Sequence, residues 1–530
     1  MANLCKELFR LFALGQLHAT EVASLAKAAG LDGWGTAHPV SRKLVAFAQK
    51  NPSGKNASRQ IMNFARNFIP VPEVQPYMFK LNEPEAFLLS MYLPHELFPK
   101  ITSDSLDDYV LPAEAFTNGN PLAKLLSDWQ SHPDVMFAGE LKNVGIFGIH
   151  CDGVQYSSSH AAGRQKSVLV GSLNIISAKE VVRAKRWPLF VVRKERLCKC
   201  GCGGFHTTQR MFEILAWSFR MMLNGKAPTV RHDGTPFTEY DTTARLTPAS
   251  VIPTGALLQI RGDWEGLMSC FRFRTATQEH FCWACDATLS EGPNDYKDFR
   301  DTAGHRNTRF THMLYCQRCA AEHHQPSHIF RAPGTELQHC IVDSMHAADL
   351  GTFADAIGSI LYLELSNKQL YRTNEVGLAA LNVAMNKHYS INPRKSKITP
   401  LSLSQIISKD IAYPFLKGKA APIRHLAEFA LDLAYKHAYG CPGRGPFRFA
   451  NNSPMAAKTQ EHLTLMVSVF QGLERYCRCL QEENFGPAAC KDAMIKYLTS
   501  LAALNKLWTQ GRSPADAKRC PFHVRPKSLR

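Results

Sequence analysis

No stretch of this 530-residue chain reaches the roughly 20 consecutive apolar residues that a membrane-spanning helix needs. Even the apolar run 357–365 is short and contains Glu364. The N-terminus interrupts its apolar pattern with Lys6, Glu7 and Arg10, so it lacks the continuous core of a secretory signal. Fixed-period repeats and low-complexity tracts are also missing, which excludes solenoid and fibrous classes. Acidic residues are in short supply: 45 Asp and Glu face 62 Lys and Arg, a net charge of +17 and a pI near 9.2. That balance points to a polyanionic partner, nucleic acid being the commonest, with a merely basic surface as the alternative.

What is present is globular: 45% hydrophobic and 20% charged residues in a chain longer than one core usually organises. The 16 cysteines, in a chain without a secretory signal, suggest metal binding or catalysis in a reducing intracellular compartment, the nucleus included. Residues 1–50 read as a helical segment, either a helix-turn-helix or a plain helical hairpin, with Thr20 as a cap and Gly30 as a stop. Residues 51–56 read as a linker, and 60–142 form a Pro- and aromatic-rich segment without a clear pattern.

From 143 to 265 the pattern sharpens. Four strand-like runs begin at Val144, Gly171, Pro188 and Ala256, and a helix with one apolar face covers 207–223 before Gly225. The order β-β-β-α-β is that of the first part of a ribonuclease H-like α/β fold. The first run ends at Asp152 and the fourth at Asp263. Two carboxylates at neighbouring strand ends suit a hard ion such as magnesium or manganese, which activates phosphoryl transfer. Each also sits in a turn dipeptide, Asp152-Gly153 and Gly262-Asp263, so each aspartate could simply begin a turn.

Two cysteine patterns suggest zinc. Cys282-Trp-Ala-Cys285 and Cys316-Gln-Arg-Cys319 are paired knuckles, the spacing of a four-thiolate site, inside a Cys/His region spanning 266–345. His323, His324 and His328 follow and could replace one thiolate or play no part, and two unrelated buried cysteine pairs are the alternative to a zinc site. Cys198, Cys200 and Cys202 would face one way on an extended stretch, with glycines letting the chain curl towards His206. This could be a second zinc site or a Cys-rich turn. A nucleophilic cysteine, Cys151 or Cys202, is a third option that lacks an orienting partner. Asp343 and His346 form an Asp-x-x-His pair that could bind an ion, or cap a helix and pack against it. Residues 346–500 read as mainly helical, and 501–530 form a basic tail, Lys506, Arg512, Lys518, Arg519, Arg525, Lys527 and Arg530 against Asp516.

Taken together, Asp152 in His-Cys-Asp-Gly-Val-Gln, Asp263 in Arg-Gly-Asp-Trp and Asp343 with His346 in Val-Asp-Ser-Met-His resemble the eukaryotic cut-and-paste DDE/D transposases, especially the CACTA, Mutator and hAT group. The resemblance covers roughly residues 143–440. It implies a ribonuclease H-like core with a zinc-binding insertion and a helical second half, DNA as partner, possible self-association, and metal-dependent strand cleavage and transfer. Asp152 and Asp263 would be the first two metal ligands. The third acid should lie on a later helix, where Glu428 is the candidate, with Asp432 one turn on and Glu364 and Glu474 as runners-up. Ile423, Leu426, Ala430 and Leu433 form that helix's apolar face and Glu428 points away from it. The stop soon after His523-Val-Arg-Pro-Lys527 is compatible with a truncated or decayed copy, and a non-catalytic zinc-stabilised nucleic-acid binder is the alternative function.

Overall fold

The computed structural model describes residues 19–32, 39–49, 74–81, 87–155, 167–178, 186–440 and 459–513, and positions 8, 17, 446, 520–522 and 524, apart from 104, 239–240, 242–245, 276, 368–369, 395, 399, 408–412 and 482–485. The expected linker at 51–56 and the Pro-Lys element near 527 lie outside the described residues. The chain forms two compact units. The first comprises Met1–Gly262, Ser269–Arg272 and Tyr315–Ile341, and the second Asp263–Met268, Phe273–Leu314 and Val342–Arg530. The expected Cys/His region at 266–345 is therefore shared between the two units.

In the first unit, helices α1 (Ala19–Leu31) and α2 (Pro39–Gln49) form from the Ala-rich pattern and pack through Val22, Ala26 and Leu44. Strands β1 (Tyr77–Leu81) and β2 (Phe87–Met91) pair antiparallel. They are followed by α3 (Pro94–Ile101) and α4 (Pro121–Gln130), the latter capped by the Asn120 side chain. The central elements are β3 (Gly145–Gln155), β4 (Ser167–Ile175), β5 (Arg186–Arg193), α5 (Phe205–Asn224) and β6 (Gly255–Gly262). With β7 (Cys340–Val342) they complete a seven-stranded open sheet of order β1-β2-β5-β4-β3-β6-β7. β3, β4 and β5 are antiparallel neighbours, and β6 runs parallel to β3. The four apolar runs read from the sequence thus become four adjacent strands, and the helical run between the third and fourth becomes α5.

Alternation along β3 gives the sheet two different faces. Phe147, Ile149 and Cys151 are nearly fully buried, with the Phe147 ring 5.9 Å from Phe219 of α5. Burying side chains of this kind contributes on the order of 1.5–3 kcal/mol each before entropy is counted. The other face carries Ile146, Gly148, His150 and Asp152. Its lower end joins Ala256 and Leu258 in a cluster with Leu126 and Trp129 of α4.

The second unit is largely helical. It contains most of α6 (Trp264–Phe271), while α7 (His312–Ala321) begins there and continues in the first unit. A π-helical turn, Met345–Thr352, runs into α8 (Phe353–Leu365), with non-helical backbone at Gly351. Then come α9 (Asn374–Ile391), α10 (Leu403–Ile406), α11 (Ala420–Arg424), α12 (Ala427–Tyr439), α13 (Thr459–Cys479) and α14 (Pro487–Thr509). α8 is buried almost all round, as a helix at the centre of a bundle must be. The expected helix at 423–437 is broken at His425 and Leu426, and the expected tail begins inside α14, whose Leu501, Leu504 and Trp508 are buried. Among the described residues, no helix is long and apolar enough to cross a membrane.

Candidate metal centre and the two aspartates

Cys198, Cys200, Cys202 and His206 come together, one ligand atom from each lying within 4.8 Å of every other. Among the described residues they are the one such group of three or more His, Cys, Asp or Glu. The thiols do not converge by alternation on a strand, as the sequence suggested. After a 3-10 turn at Lys194–Arg196 the chain bends, and Gly201, Gly203 and Gly204 adopt φ values of +92°, +64° and +91°. Side chains other than glycine rarely enter that left-handed region. A Cβ at Gly201 or Gly203 would meet nothing within 4 Å, so backbone conformation and not space requires glycine there.

The bend ends at the first turn of α5, which carries His206. The Cys198 N–H donates to Thr207 Oγ1 at 2.9 Å, and Thr208 Oγ1 donates to the Gly204 carbonyl at 3.0 Å, pinning the loop to the helix. His206 Nδ1 lies 3.6 Å from Cys198 Sγ and 3.3 Å from Cys200 Sγ. A tetrahedral zinc ion with bonds of about 2.3 Å to sulfur and 2.0–2.1 Å to nitrogen implies ligand separations of roughly 3.4–3.8 Å. The cluster matches that scale, and three thiols with one imidazole are a zinc donor set.

The thiols are electrostatically unequal. The Cys200 backbone N–H draws the Cys198 thiol down, but burial and hydrogen bonding with the Cys200 and Cys202 thiols outweigh it and push Cys198 up to about 12. For Cys202 burial acts upwards, yet backbone N–H groups of His206 and Gly204 and the neighbouring thiols hold it below the usual thiol value. A metal ion held by these four groups would replace the shared protons.

The paired knuckles are arranged differently. Cys282 and Cys285 belong to the second unit, with sulfurs 3.2 Å apart and the Ala284 N–H directed at Cys282 Sγ at 3.3 Å. Cys316 and Cys319 lie one turn apart on α7 and belong to the first unit, and burial raises both thiols.

The two aspartates differ in setting: β3 continues to Gln155, so Asp152 lies within the strand and not at its end as the sequence suggested, whereas Asp263 directly follows β6. Cys151 of β3 pairs with Gly262, the last residue of β6, and the next residues in the chain are Asp152, still in β3, and Asp263, beyond the end of β6. Asp152 is half-buried and still paired with Val170 of β4. Asp263 precedes α6, and its Oδ1 accepts the Gly266 N–H at 2.6 Å, which is the geometry of a helix cap. Cys151 is not suited to act as a nucleophile: a hydrogen bond to the Cys270 thiol and complete burial hold it protonated.

The remaining candidates have partners. Asp343 Oδ2 accepts from His346 Nδ1 at 2.8 Å while Oδ1 accepts the Met345 N–H at 3.0 Å, so the pair both caps and braces the π-helical turn. Glu428 is 44% exposed and lies 3.4 Å from Arg394. These two line a cleft of about 200 Å³ with Arg424, His425, Glu474 and Arg478. Glu474 pairs with Arg478, and the buried Glu364 contacts His437 Nε2 at 3.1 Å and accepts from the Tyr371 hydroxyl at 3.0 Å. Asp349, to which the sequence reading gave no role, is buried and doubly bonded to Arg424. A 75-residue separation leaves no local signal for that pair.

In comparison with known proteins, the chain matches no family model and no curated protein.

Proposed function

We propose that this chain is a transposase-like nucleic-acid-binding protein with a ribonuclease H-like sheet and one structural zinc ion held by Cys198, Cys200, Cys202 and His206. The observation that carries the reading is the strand arrangement: β5, β4 and β3 antiparallel in that order, β6 parallel to β3, and α5 leading from β5 towards β6. The net charge of +17 supports a polyanionic partner. Zinc at the cluster would cross-link the 198–204 bend to the first turn of α5, the helix that packs on the apolar sheet face.

Asp152 and Asp263, one residue past a paired position on adjacent parallel strands, suit a magnesium-dependent nuclease. The ion would supply neutralisation of charge at a phosphodiester, and the aspartates would supply its oxygen ligands. Purified protein with a supercoiled plasmid and magnesium tests this. Nicking that disappears in Asp152→Asn and in Asp263→Asn supports the enzyme, whereas absent nicking, or nicking that survives both changes, removes it.

Two observations favour the alternative of a non-catalytic binder. One Asp263 oxygen is engaged in capping α6, and Glu428, the candidate third acid, faces Arg394. That reading expects stoichiometric zinc and a steep salt dependence of DNA affinity without turnover.

A further inference from the structure

The sheet face that carries Asp152 has an uneven distribution of charge. Among the described residues, Asp152 is the sole carboxylate within the seven strands, whereas Lys80, Arg186, Arg193 and Arg261 are strand residues. Strand register orders this face into rows. In the first, Gly148 of β3 pairs with Asn174 of β4 and Gln259 of β6, and Asn174 pairs with Arg186 of β5. In the next, His150 pairs with Ser172 and with Arg261. Asp152 and Val170 follow, and then Val154 with Val168, which pairs with Arg193.

Side chains opposite one another in paired strands project from the same face. His150, Asp152, Arg186, Arg193 and Arg261 therefore share one side of the sheet, opposite to the side on which Phe147 meets α5. Arg186 and Arg193 are exposed, and His150 and Arg261 are half-buried. With strands about 4.8 Å apart, the basic side chains on β5 and β6 begin roughly 14 Å from one another, on either side of the strand that bears Asp152. Asn174, only 2% exposed, has neither amide atom hydrogen-bonded in the structure. There the row is covered by the protein itself, and the accessible part of the face begins at the half-buried His150 and Ser172.

We propose that this face is the track for a nucleic-acid phosphodiester backbone, with Arg186, Arg193 and Arg261 contacting phosphates and His150 donating from the row beside Asp152. The inference rests on the nucleic-acid-binding reading and assigns it to one surface. A bare cluster of cations would suit any polyanion. Here the cations flank the lone strand carboxylate, as a surface that delivers a phosphodiester to a metal-binding acid requires.

The test is DNA binding by the full chain without added magnesium, using a random-sequence duplex oligonucleotide over a range of salt concentrations. The Arg186→Gln/Arg193→Gln double variant changes exposed residues, and Lys506→Gln/Arg512→Gln removes the same charge far along the sequence. The sheet variant is expected to weaken binding about tenfold or more and to reduce the slope of log affinity against log salt by about 1.8, roughly 0.9 for each phosphate that is no longer neutralised. Arg261→Lys, which keeps the charge, is expected to lose less than Arg261→Gln. Equal losses from both double variants, or an unchanged slope in the sheet variant, would overturn the assignment. Wild-type protein that binds no DNA would instead overturn the broader reading, so the two failures are distinguishable.

Discussion

Arg424 grips Asp349 with one edge of its guanidinium: Nε donates to Oδ1 at 3.0 Å and to Oδ2 at 3.1 Å, and Nη2 also donates to Oδ2. The Asp349 side chain is 2% exposed, against 33% for Arg424. The pair ties the π-helical turn to α11 across 75 residues. Arg424→Ala would strand a buried carboxylate, which costs about 3 kcal/mol or more. Urea unfolding of Arg424→Ala should show that loss, and Arg424→Lys should recover only part, because a lysine cannot make the bidentate contact. A loss below about 1 kcal/mol would mean that the pair is a surface interaction in energetic terms.

Gly472 on α13 faces the backbone of α14, where an added Cβ would lie 2.7 Å from Tyr497 N and 2.8 Å from Tyr497 Cα. Backbone atoms cannot swing aside as a flexible side-chain tip can, so Gly472→Ala must push two long helices apart. The expected cost is about 1–3 kcal/mol, even though alanine is the better helix former. Thermal unfolding decides between these effects, and a higher midpoint in the variant would show that helix propensity wins.

The sequence disclosed the central strands because their apolar runs are long and bounded by turns, and Gly225, with φ +65°, ends α5 where its position implied. β1 was hidden by its setting. Tyr77, Phe79 and Leu81 alternate inward over only five residues inside a Pro-rich segment, too short a run to stand out. Convergence of Cys198, Cys200 and Cys202 was legible as composition but not as geometry, because three left-handed glycines replaced the expected extended stretch. The Asp263 cap was open to view in the Gly-Asp dipeptide, which also suited a metal ligand. Only a structure shows that one of its oxygens is engaged. Pairing of Asp349 with Arg424 depends on the fold of a whole unit and has no signature in either local segment.

The metal centre should bind one zinc ion per chain, measured by elemental analysis after gel filtration. Cys200→Ser and His206→Ala should each lower that content, and cobalt substitution should give the visible absorption of a tetrahedral thiolate site in the wild type alone. Gly201→Ala is the more searching variant. It meets no atom within 4 Å and removes no ligand, yet it opposes a φ of +92° at a cost of about 1 kcal/mol or more. Zinc affinity should therefore fall in Gly201→Ala. Unchanged affinity would mean that the bend is formed by the metal and not prepared for it.

Asp263 permits its structural and chemical roles to be separated. Asparagine retains a side-chain oxygen that can accept the Gly266 N–H, whereas alanine does not. Asp263→Ala should therefore destabilise the protein by about 1 kcal/mol, and Asp263→Asn by much less. Magnesium-dependent nicking, if it is the protein's activity, should be lost in both. Loss in the alanine variant alone would assign the residue to the helix cap.

His388 on α9 connects the second unit to pH. Burial holds its imidazole below the usual histidine value. Glu428 and Asp432 of α12 act to raise it, and Arg394 and Lys436 act with burial to lower it. The ring packs 5.6 Å from Phe429 and makes a 3.4 Å contact from Nδ1 to the Asn392 amide. Because the native state binds this proton more weakly than the unfolded chain, acidification favours unfolding. The contribution is intact above the unfolded value of about 6.5 and is lost progressively as pH falls from there towards the depressed native value. His232, His305 and His328 are lowered in the same direction, each chiefly by burial. Stability should thus fall between pH 7 and pH 5, with His388→Gln showing a shallower decline than the wild type. Parallel stability curves for the two proteins would show that His388 takes no part in the acid response.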